Sequence, residues 1–300
     1  MEQTVLILGA NGRFGTNAAN AFAAAGWKVR KFDRSHDQLE RAAKGADVIV
    51  AAWNPPYQDW AKQVPALHAT VRKAALANDA TVIVPGNVYV FGPDAPLPWG
   101  RDTPHLATNP LGRIRIEMED AYRREGVRTI LLRSGDFLDT SASGNWFDGF
   151  MAKPLNKGIF TSPGRGDIPH SWGYLPDLAR AAVALAEKRD TLDRYADIPF
   201  AGYTLCTEEI VAVISKITGR TITMKKMVWW PMNFVRPFMP MLNGVFEMRY
   251  LWNLPHHMDG STFDRLLPDF EHTPVEQALA NAIAPILPTE ASARLSRIAA

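Results

Sequence analysis

Val5-Leu6-Ile7-Leu8 runs without a spacer into Gly9-Ala10-Asn11-Gly12-Arg13-Phe14-Gly15, and the residues from Arg13 to Ala25 then keep a helical spacing of apolar side chains. An apolar run, a turn with three glycines and a helix in immediate succession form the arrangement that holds a phosphate. One glycine bends the chain, one lets the backbone approach a pyrophosphate, and one allows close packing of helix on strand. Gly9, Gly12 and Gly15 can fill these roles. The helix start offers unpaired N–H groups and the positive end of its dipole to an anion. Asn11, Arg13 and Phe14 belong to the same candidate cofactor set. The plain alternative is a glycine-rich turn that binds nothing.

The surrounding pattern repeats this unit. Five runs read as strands, Val5 to Leu8, Lys28 to Phe32, Asp47 to Ala51, Thr81 to Val84 and Thr129 to Leu132, each separated by a segment able to carry a crossover helix. Helices are expected over Arg13 to Ala25, Asp37 to Ala43, Gln58 to Ala77 and Leu111 to Glu125, the last with Asn109 as N-cap and Pro110 at its first position. This βαβ repetition predicts an α/β fold, a doubly wound parallel sheet covered by helices on both faces. After about Asp139, Gly, Pro and aromatic residues break the chain into shorter elements. Further helices are expected over Pro176 to Glu187, Thr207 to Thr218 and Pro274 to Ile283, followed by a small-residue tail from Ala291 to Ala300. The expected division is a dinucleotide-binding domain over 1–140, with 172–200 returning to it, and a smaller, mostly helical C-terminal substrate lobe from 141–171 and 201–300.

Composition narrows the function classes. The 300 residues carry 33 Lys plus Arg against 31 Asp plus Glu, a formal net charge of +2, which argues against a broad nucleic-acid surface. The single cysteine, Cys206, excludes an internal disulfide and a thiolate zinc site and favours a reducing compartment. The seven histidines lack metal-ligand spacing, so no metal is expected. No basic stretch precedes Val5, and no window offers about 18 uninterrupted apolar residues, so a cytoplasmic protein without a transmembrane segment is expected.

Eighteen residues beyond Gly15, the second run ends in Phe32-Asp33-Arg34. An acidic residue there accepts hydrogen bonds from ribose hydroxyls and disfavours a 2′-phosphate, which points Asp33 to NAD. Arg34 beside it and Arg13 in the turn can instead clamp a 2′-phosphate, which points to NADP. The choice stays open. Ala51, Ala52 and Trp53, where the third run ends, complete the candidate cofactor set.

Four later segments extend the pattern: Val84-Pro85-Gly86-Asn87-Val88-Tyr89-Val90-Phe91-Gly92, Asn109-Pro110-Leu111-Gly112-Arg113-Ile114-Arg115 followed by Glu119, Leu132-Arg133-Ser134-Gly135, and Leu175-Pro176-Asp177-Leu178-Ala179. With the G-x-x-G-x-x-G spacing, they resemble the extended and atypical short-chain dehydrogenase/reductases, the superfamily that includes NAD-dependent sugar epimerases and dehydratases. The likeness runs to about residue 200. It implies a Rossmann-like fold, NAD or NADP as cofactor, a small-molecule substrate, and a homodimer formed through Gln58 to Ala77 and Leu111 to Glu125. The superfamily's hydride chemistry uses a serine, a tyrosine, and a lysine four residues after the tyrosine. Those positions here carry Asn87, Leu111 and Arg115.

Reducing a carbonyl leaves an alkoxide that needs a proton donor or a positive neighbour, so other groups must serve. Asn87 can donate a hydrogen bond to a substrate oxygen. Arg115, one turn after Leu111, can reach a ribose hydroxyl and keep positive charge near the nicotinamide; its plain reading is an exposed arginine pairing with Glu117, Glu119 or Asp120. If residues 86–90 are extended, Tyr89 shares a face with Asn87 and is the best candidate acid, given a cation such as Arg115 nearby. Its plain reading is a side chain that lines the site by shape. His105, His170, Tyr57 and Tyr174 are weaker candidates. The arginines from Arg113 to Arg128 alternate with acids, as on a solvated, ion-paired helix.

Residues 224–255 are dense in Trp, Phe and Met, and are interrupted by Pro231, Pro237 and Pro240. Three readings stand: the core of the second lobe, a wall of an apolar substrate pocket, or contact with a membrane surface. Ser141 to Trp146 and Ser162 to Asp167 are candidate lids. The leading functional expectation is an NAD(P)-dependent oxidoreductase of the epimerase/dehydratase-like type, acting on a small carbonyl or alcohol of low polarity with a non-standard active site. A non-catalytic NAD(P)-binding redox sensor or scaffold, and a nucleotide-sugar epimerase or dehydratase, are the alternatives.

Overall fold

A computed structural model describes residues 2–288. In chain order the strands are Thr4–Leu8 (β1), Lys28–Phe32 (β2), Val48–Ala51 (β3), Thr81–Gly86 (β4), Thr129–Arg133 (β5), Asp136–Leu138 (β6), Ile159–Ser162 (β7), His170–Tyr174 (β8), Tyr195–Pro199 (β9), Tyr203–Leu205 (β10) and Thr223–Lys226 (β11). The α-helices are Arg13–Ala24 (α1), Leu39–Ala42 (α2), Trp60–Asn78 (α3), Pro110–Arg124 (α4), Leu175–Glu187 (α5), Thr207–Thr218 (α6), Met232–Val235 (α7), Met241–Glu247 (α8), Ser261–Leu266 (α9) and Val275–Ile283 (α10). The chain divides into two units. The first takes the chain up to Arg133, Leu178–Phe200 and Asp259–Phe270, and the second takes Ser134–Asp177, Ala201–Met258 and the described residues from Glu271 onward.

The first unit is built on a six-stranded sheet in the order β2-β1-β3-β4-β5-β9. Every neighbouring pair is parallel. The five expected runs are its first five strands. Val5, Ile7, Val48, Val50, Val82 and Ile83 are fully buried, as continuous apolar runs are when both faces are covered. The chain passes from β1 outward to β2, then returns past β1 to β3 and on through β4 and β5. With right-handed crossovers this puts α1 on one face and α3 and α4 on the other, and leaves a crevice between the ends of β1 and β3 where the direction reverses.

The expected helices form with small shifts. The stretch from Gln58 begins as a 3-10 turn, Tyr57–Asp59, before α3, and Asp37 to Ala43 shortens to α2. Asn109 is the N-cap of α4 and Pro110 its first residue. The sixth strand, β9, carries no strand signal because Asp197 and Pro199 break its apolar pattern. The expected boundaries also move. The chain leaves the first unit at Ser134 and returns at Leu178, not at residues 141 and 172, and Asp259–Phe270 belongs to the first unit although 201–300 reads as second lobe. That segment brings Phe263 edge-on to Phe200 and to Phe270, each at 5.1 Å, an apolar anchor separated from the sheet by about sixty residues of chain.

The second unit has more helix than strand, but contains five short strands that the sequence does not announce: a β10-β8-β6 sheet and a parallel β11-β7 pair. Its core includes Phe147, Met151, Trp172, Ile210, Trp252 and Leu279. The aromatic run divides: Leu242, Val245, Met248, Leu251 and Trp252 are buried, whereas Trp230, Phe234 and Phe238 stand in solvent, so the core reading holds for its later half only. The two candidate lids are tied down. Asp148 accepts from the Gly144 and Asn145 amides, and Ser162 donates to the Gly164 carbonyl. Among the described residues no helix is long and apolar enough to cross a membrane. The tail from Ala291 to Ala300 lies outside the described residues.

Candidate functional site

The glycine turn follows β1 directly, at the crevice where the winding of the sheet reverses. Gly9 adopts φ +74°, a left-handed conformation that a side chain disfavours, and a Cβ on it would stand 2.9 Å from the Ala52 carbonyl oxygen at the end of β3. The Gly12 amide donates to Gly9 O at 2.9 Å, and the Thr16 hydroxyl donates to Ala10 O at 3.0 Å, closing the turn on the start of α1. A Cβ on Gly15 would lie 2.1 Å from Gly9 O, so only glycine lets the first turn of α1 rest on the loop. Gly12 is the N-cap of α1, and no acidic residue occupies the helix's first turn. Such an N-terminus leaves its N–H groups and dipole to an anion. Phe14 is buried beneath the turn, while Asn11 and Arg13 are exposed around it.

At the ends of β2 and β3 an aromatic and cationic wall forms. The rings of Phe32 and Trp53 lie 5.8 Å apart, and the Arg34 guanidinium is 5.9 Å from the Trp53 ring. Ala51 ends β3, and Ala52 touches the glycine turn. The Asp33 carboxylate is engaged locally: the Ser35 amide and hydroxyl both donate to Oδ1, and these bonds hold its pKa below the ordinary aspartate value. The expected acid and its neighbouring arginine therefore sit together, with the carboxylate folded onto its own turn.

β4 ends at Gly86, and Val88–Val90 wind into a 3-10 turn. Asn87 is extended as expected, at φ −129° and ψ 178°, but the turn from Val88 corrects the extended geometry that would place Tyr89 on its face. Asn87 caps the turn by accepting the Tyr89 amide on Oδ1 at 3.1 Å, leaving its Nδ2 as donor. Tyr89 finds a partner that the sequence ranked low. Its hydroxyl lies 2.6 Å from that of Tyr57, which heads the 3-10 turn before α3. Trp60 stacks obliquely on Tyr89 at 6.1 Å, and its indole N–H donates to Pro55 O at 2.8 Å, fixing this aromatic wall.

Arg115 needs a second correction. The exposed ion-pair reading does not describe it. It is buried, its Nη2 donates to Pro85 O at 2.7 Å, and it lies 3.5 Å from Glu119 one turn on. It thus ties α4 to the end of β4. Burial lowers its pKa and Glu119 opposes that fall. The larger charge cluster centres on Arg133, fully buried at the end of β5. Its Nη2 donates to Glu119 Oε2 at 2.8 Å and Asp197 Oδ2 at 2.7 Å, its Nη1 donates to Asn87 O at 2.7 Å, and its guanidinium lies over Phe91 at 5.2 Å. Burial works against the charge of both acids. Glu119 faces two guanidiniums and is held below the usual carboxylate range, whereas Asp197, with one, is raised. His105, Glu119 and Asp197 bring ligand atoms within 4.8 Å of one another, but Arg133 already supplies the positive charge between the two carboxylates. His105 is lowered by burial and by Arg133.

Arg133 and Asp197 escaped sequence reasoning as site residues. The one available signal was an arginine closing an otherwise apolar strand, Thr129-Ile130-Leu131-Leu132-Arg133. Leu111 is buried in the first turn of α4. His170 and Tyr174 belong to the second unit. His170 Nε2 is 2.7 Å from Asp136 with its ring stacked on Trp252 at 4.2 Å, and Tyr174 accepts a hydrogen bond from Asn281 at 2.9 Å.

No family model and no curated protein sequence matches the chain. Solved structures match over almost its whole length. UDP-glucuronic acid 4-epimerase from Bacillus cereus, in complex with UDP-glucuronic acid and NAD, superposes with a TM-score of 0.70 at 15% identity, over 95% of this chain and 99% of that one. UDP-N-acetylglucosamine 4-epimerase from Methanobrevibacter ruminantium, in complex with UDP-N-acetylmuramic acid, gives 0.71 at 16% identity over 95% and 98%. The NAD-dependent NDP-hexosamine 5,6-dehydratase TunA gives 0.69 at 14% over 94% and 97%. The chain has the fold of the NAD-dependent nucleotide-sugar epimerases and dehydratases.

Proposed function

We propose that the first unit binds a nicotinamide dinucleotide across the ends of β1, β2 and β3, and that the protein is an NAD(P)-dependent oxidoreductase acting on a small carbonyl or alcohol of low polarity. The observation that carries this reading is the glycine cradle: a Cβ on Gly15 would overlap Gly9 O at 2.1 Å, and an uncapped helix start lies behind it. That cradle fits a pyrophosphate, with Gly9, Gly12 and Gly15 beneath it and Asn11 and Arg13 around it. Phe32, Arg34 and Trp53 fit the adenosine end. Arg34 and Arg13 support a 2′-phosphate, because the Asp33 carboxylate is already engaged by Ser35.

When bound, the cofactor supplies or accepts a hydride. The chain's own contribution is positioning and protons. Arg133 holds the Asn87 carbonyl, Asn87 caps the Tyr89 turn, and the Asn87 amide nitrogen can donate to a substrate oxygen. Tyr89 gives its hydroxyl proton to the alkoxide, and Tyr57, 2.6 Å away, hands its own proton to Tyr89 in turn. Arg115 acts from behind this surface by holding α4 to Pro85 O.

The reading is tested by following consumption of NADH and NADPH with a panel of apolar aldehydes and ketones. Turnover that falls in Tyr89→Phe while dinucleotide binding persists supports it; unchanged turnover in that variant removes Tyr89 as the acid. A second reading, a non-catalytic redox sensor, draws on Leu111 standing buried where the superfamily has its tyrosine and on Arg115 turning inward. Reduced cofactor consumed in step with product excludes it. Nucleotide-sugar epimerisation or dehydration, the activity named for proteins of this fold, requires NAD recycled within each turnover, so a chain purified without nicotinamide counts against it. A homodimer through α3 and α4 and a cytoplasmic site of action accompany the proposal; the single cysteine supports the latter.

A further inference from the structure

Between Val228 and Met239 the second unit holds six large apolar side chains in solvent: Val228, Trp230, Phe234, Val235, Phe238 and Met239. Trp230 is 65% exposed, Phe234 71% and Phe238 84%. At 150–250 Å² per aromatic side chain, the six expose on the order of 600 Å² of apolar surface, at or above the largest patch of an ordinary soluble monomer.

The segment is shaped to hold these side chains out. Pro231, Pro237 and Pro240 cut it into short turns, α7 followed by a 3-10 turn over Arg236–Phe238 and then α8. Its base is anchored in the same unit. Trp229 donates its indole N–H to Pro163 O at 2.8 Å, packs edge-on to Phe246 at 5.5 Å, and lies under the Arg249 guanidinium at 5.0 Å. Arg236 donates to Asn243 Oδ1 at 2.6 Å and covers Phe246 at 5.1 Å. Leu242 and Val245 of α8 are buried. Trp230 and Phe234 meet edge to face at 5.8 Å on the outer side.

Along the chain the charge through this turn has one sign, with Glu208 and Glu209 before the stretch and Glu247 after it. From Ile210 to Phe246 the chain carries Lys216, Arg220, Lys225, Lys226 and Arg236 and no Asp or Glu. Lys216 pairs with Glu276, and Arg220 donates to Asn156 O. Lys225 and Lys226 are exposed immediately before the turn; the Asp167 carboxylate, bonded to Arg165, also feels the charge of Lys226.

We propose that this turn docks the protein on an anionic lipid surface, with Trp230, Phe234 and Phe238 entering the boundary between headgroups and acyl chains and Lys225, Lys226 and Arg236 lying against lipid phosphates. Protruding aromatics backed by a cationic collar are the combination that binds a lipid interface. A second copy of the chain is the poorer occupant, because a two-fold pairing of this patch sets the two cationic collars against each other.

The test is sedimentation of the full chain with vesicles of phosphatidylcholine alone and of phosphatidylcholine doped with phosphatidylglycerol, with analytical ultracentrifugation in parallel. Partition onto the doped vesicles is expected, weakened by salt, with a blue shift of tryptophan emission. The pair Phe234→Ser and Phe238→Ser is expected to lower partition about tenfold or more at unchanged melting temperature, and Lys225→Glu with Lys226→Glu to remove the preference for the anionic vesicles. A folded wild-type chain that ignores doped vesicles overturns the proposal. So does a concentration-dependent dimer that the double serine variant converts to monomer, which assigns the patch to a second copy.

Discussion

Gly15→Ala is the substitution whose effect the geometry fixes best. The added methyl would stand 2.1 Å from Gly9 O, 2.8 Å from Gly9 C and 3.1 Å from Ala10 Cα, all backbone atoms of the turn itself. The first distance is more than 1 Å short of ordinary contact, and no flexible side chain is available to move aside. Relief must come from opening the turn or lifting the start of α1, either of which displaces the N–H groups that meet a phosphate. Overpacking of this kind costs about 1–3 kcal/mol, and when the cost falls on the bound state it corresponds to roughly a 5- to 150-fold loss of affinity. The assay is calorimetric titration of the wild type and Gly15→Ala with NADH and NADPH, beside melting curves. Asn20→Ala, on the exposed side of α1, is the control and is expected to bind as the wild type does. A folded Gly15→Ala protein with unchanged affinity for both dinucleotides would refute the assignment of the turn.

Three further outcomes follow from the same structure. Arg133→Met leaves Glu119 and Asp197 buried with no guanidinium between them, and denaturant unfolding is expected to register a loss of about 3–5 kcal/mol. His68 is buried against the Tyr122 hydroxyl at 2.9 Å, and burial pushes its pKa down to about 3. The unfolded chain therefore binds a proton below about pH 6.5 that the folded state refuses, so the stability from the neutral ring is complete above that pH and drains as pH falls toward 3. The loss is about 1.4 kcal/mol per pH unit across that window, and His68→Gln is expected to flatten it in pH-dependent unfolding curves. Tyr57→Phe is expected to reduce turnover less than Tyr89→Phe, since it removes the relay and leaves the donor; a larger loss in Tyr57→Phe than in Tyr89→Phe would place the donor at Tyr57.

What could be read from the residues was local in sequence. The glycine turn, the apolar runs of β1 to β5 and the Asn109-Pro110 start of α4 each declare themselves within a few positions, because a turn, a buried strand or a cap is set by its own neighbours. The site's supporting contacts are of the other kind. Arg133 meets Glu119 from α4 and Asp197 from β9, and Tyr57 meets Tyr89 across 32 positions. Asp197 itself hid β9, since a carboxylate in a strand reads as an interruption until the arginine that neutralises it is in place. Arg115 misled for a related reason: its spacing to Glu119 is that of a surface pair, and only the packing of α4 on the end of β4 puts both inside. Asn87 and Tyr89 look like neighbours on one strand face until the chain winds into a turn at Val88, two residues after the end of β4 at Gly86.

The central claim is that the first unit holds a nicotinamide dinucleotide, and parallel titration with NADH and NADPH read through quenching of the nine tryptophans tests it most directly. Trp53, packed on Phe32 and beside Arg34, sits in the proposed adenosine wall. Saturable quenching by at least one dinucleotide is predicted, with NADPH the tighter if Arg34 and Arg13 grip a 2′-phosphate, and with the affinity weakened in Gly15→Ala. A folded protein whose fluorescence neither dinucleotide changes, at concentrations up to about 1 mM where even a weak specific site fills, would contradict it.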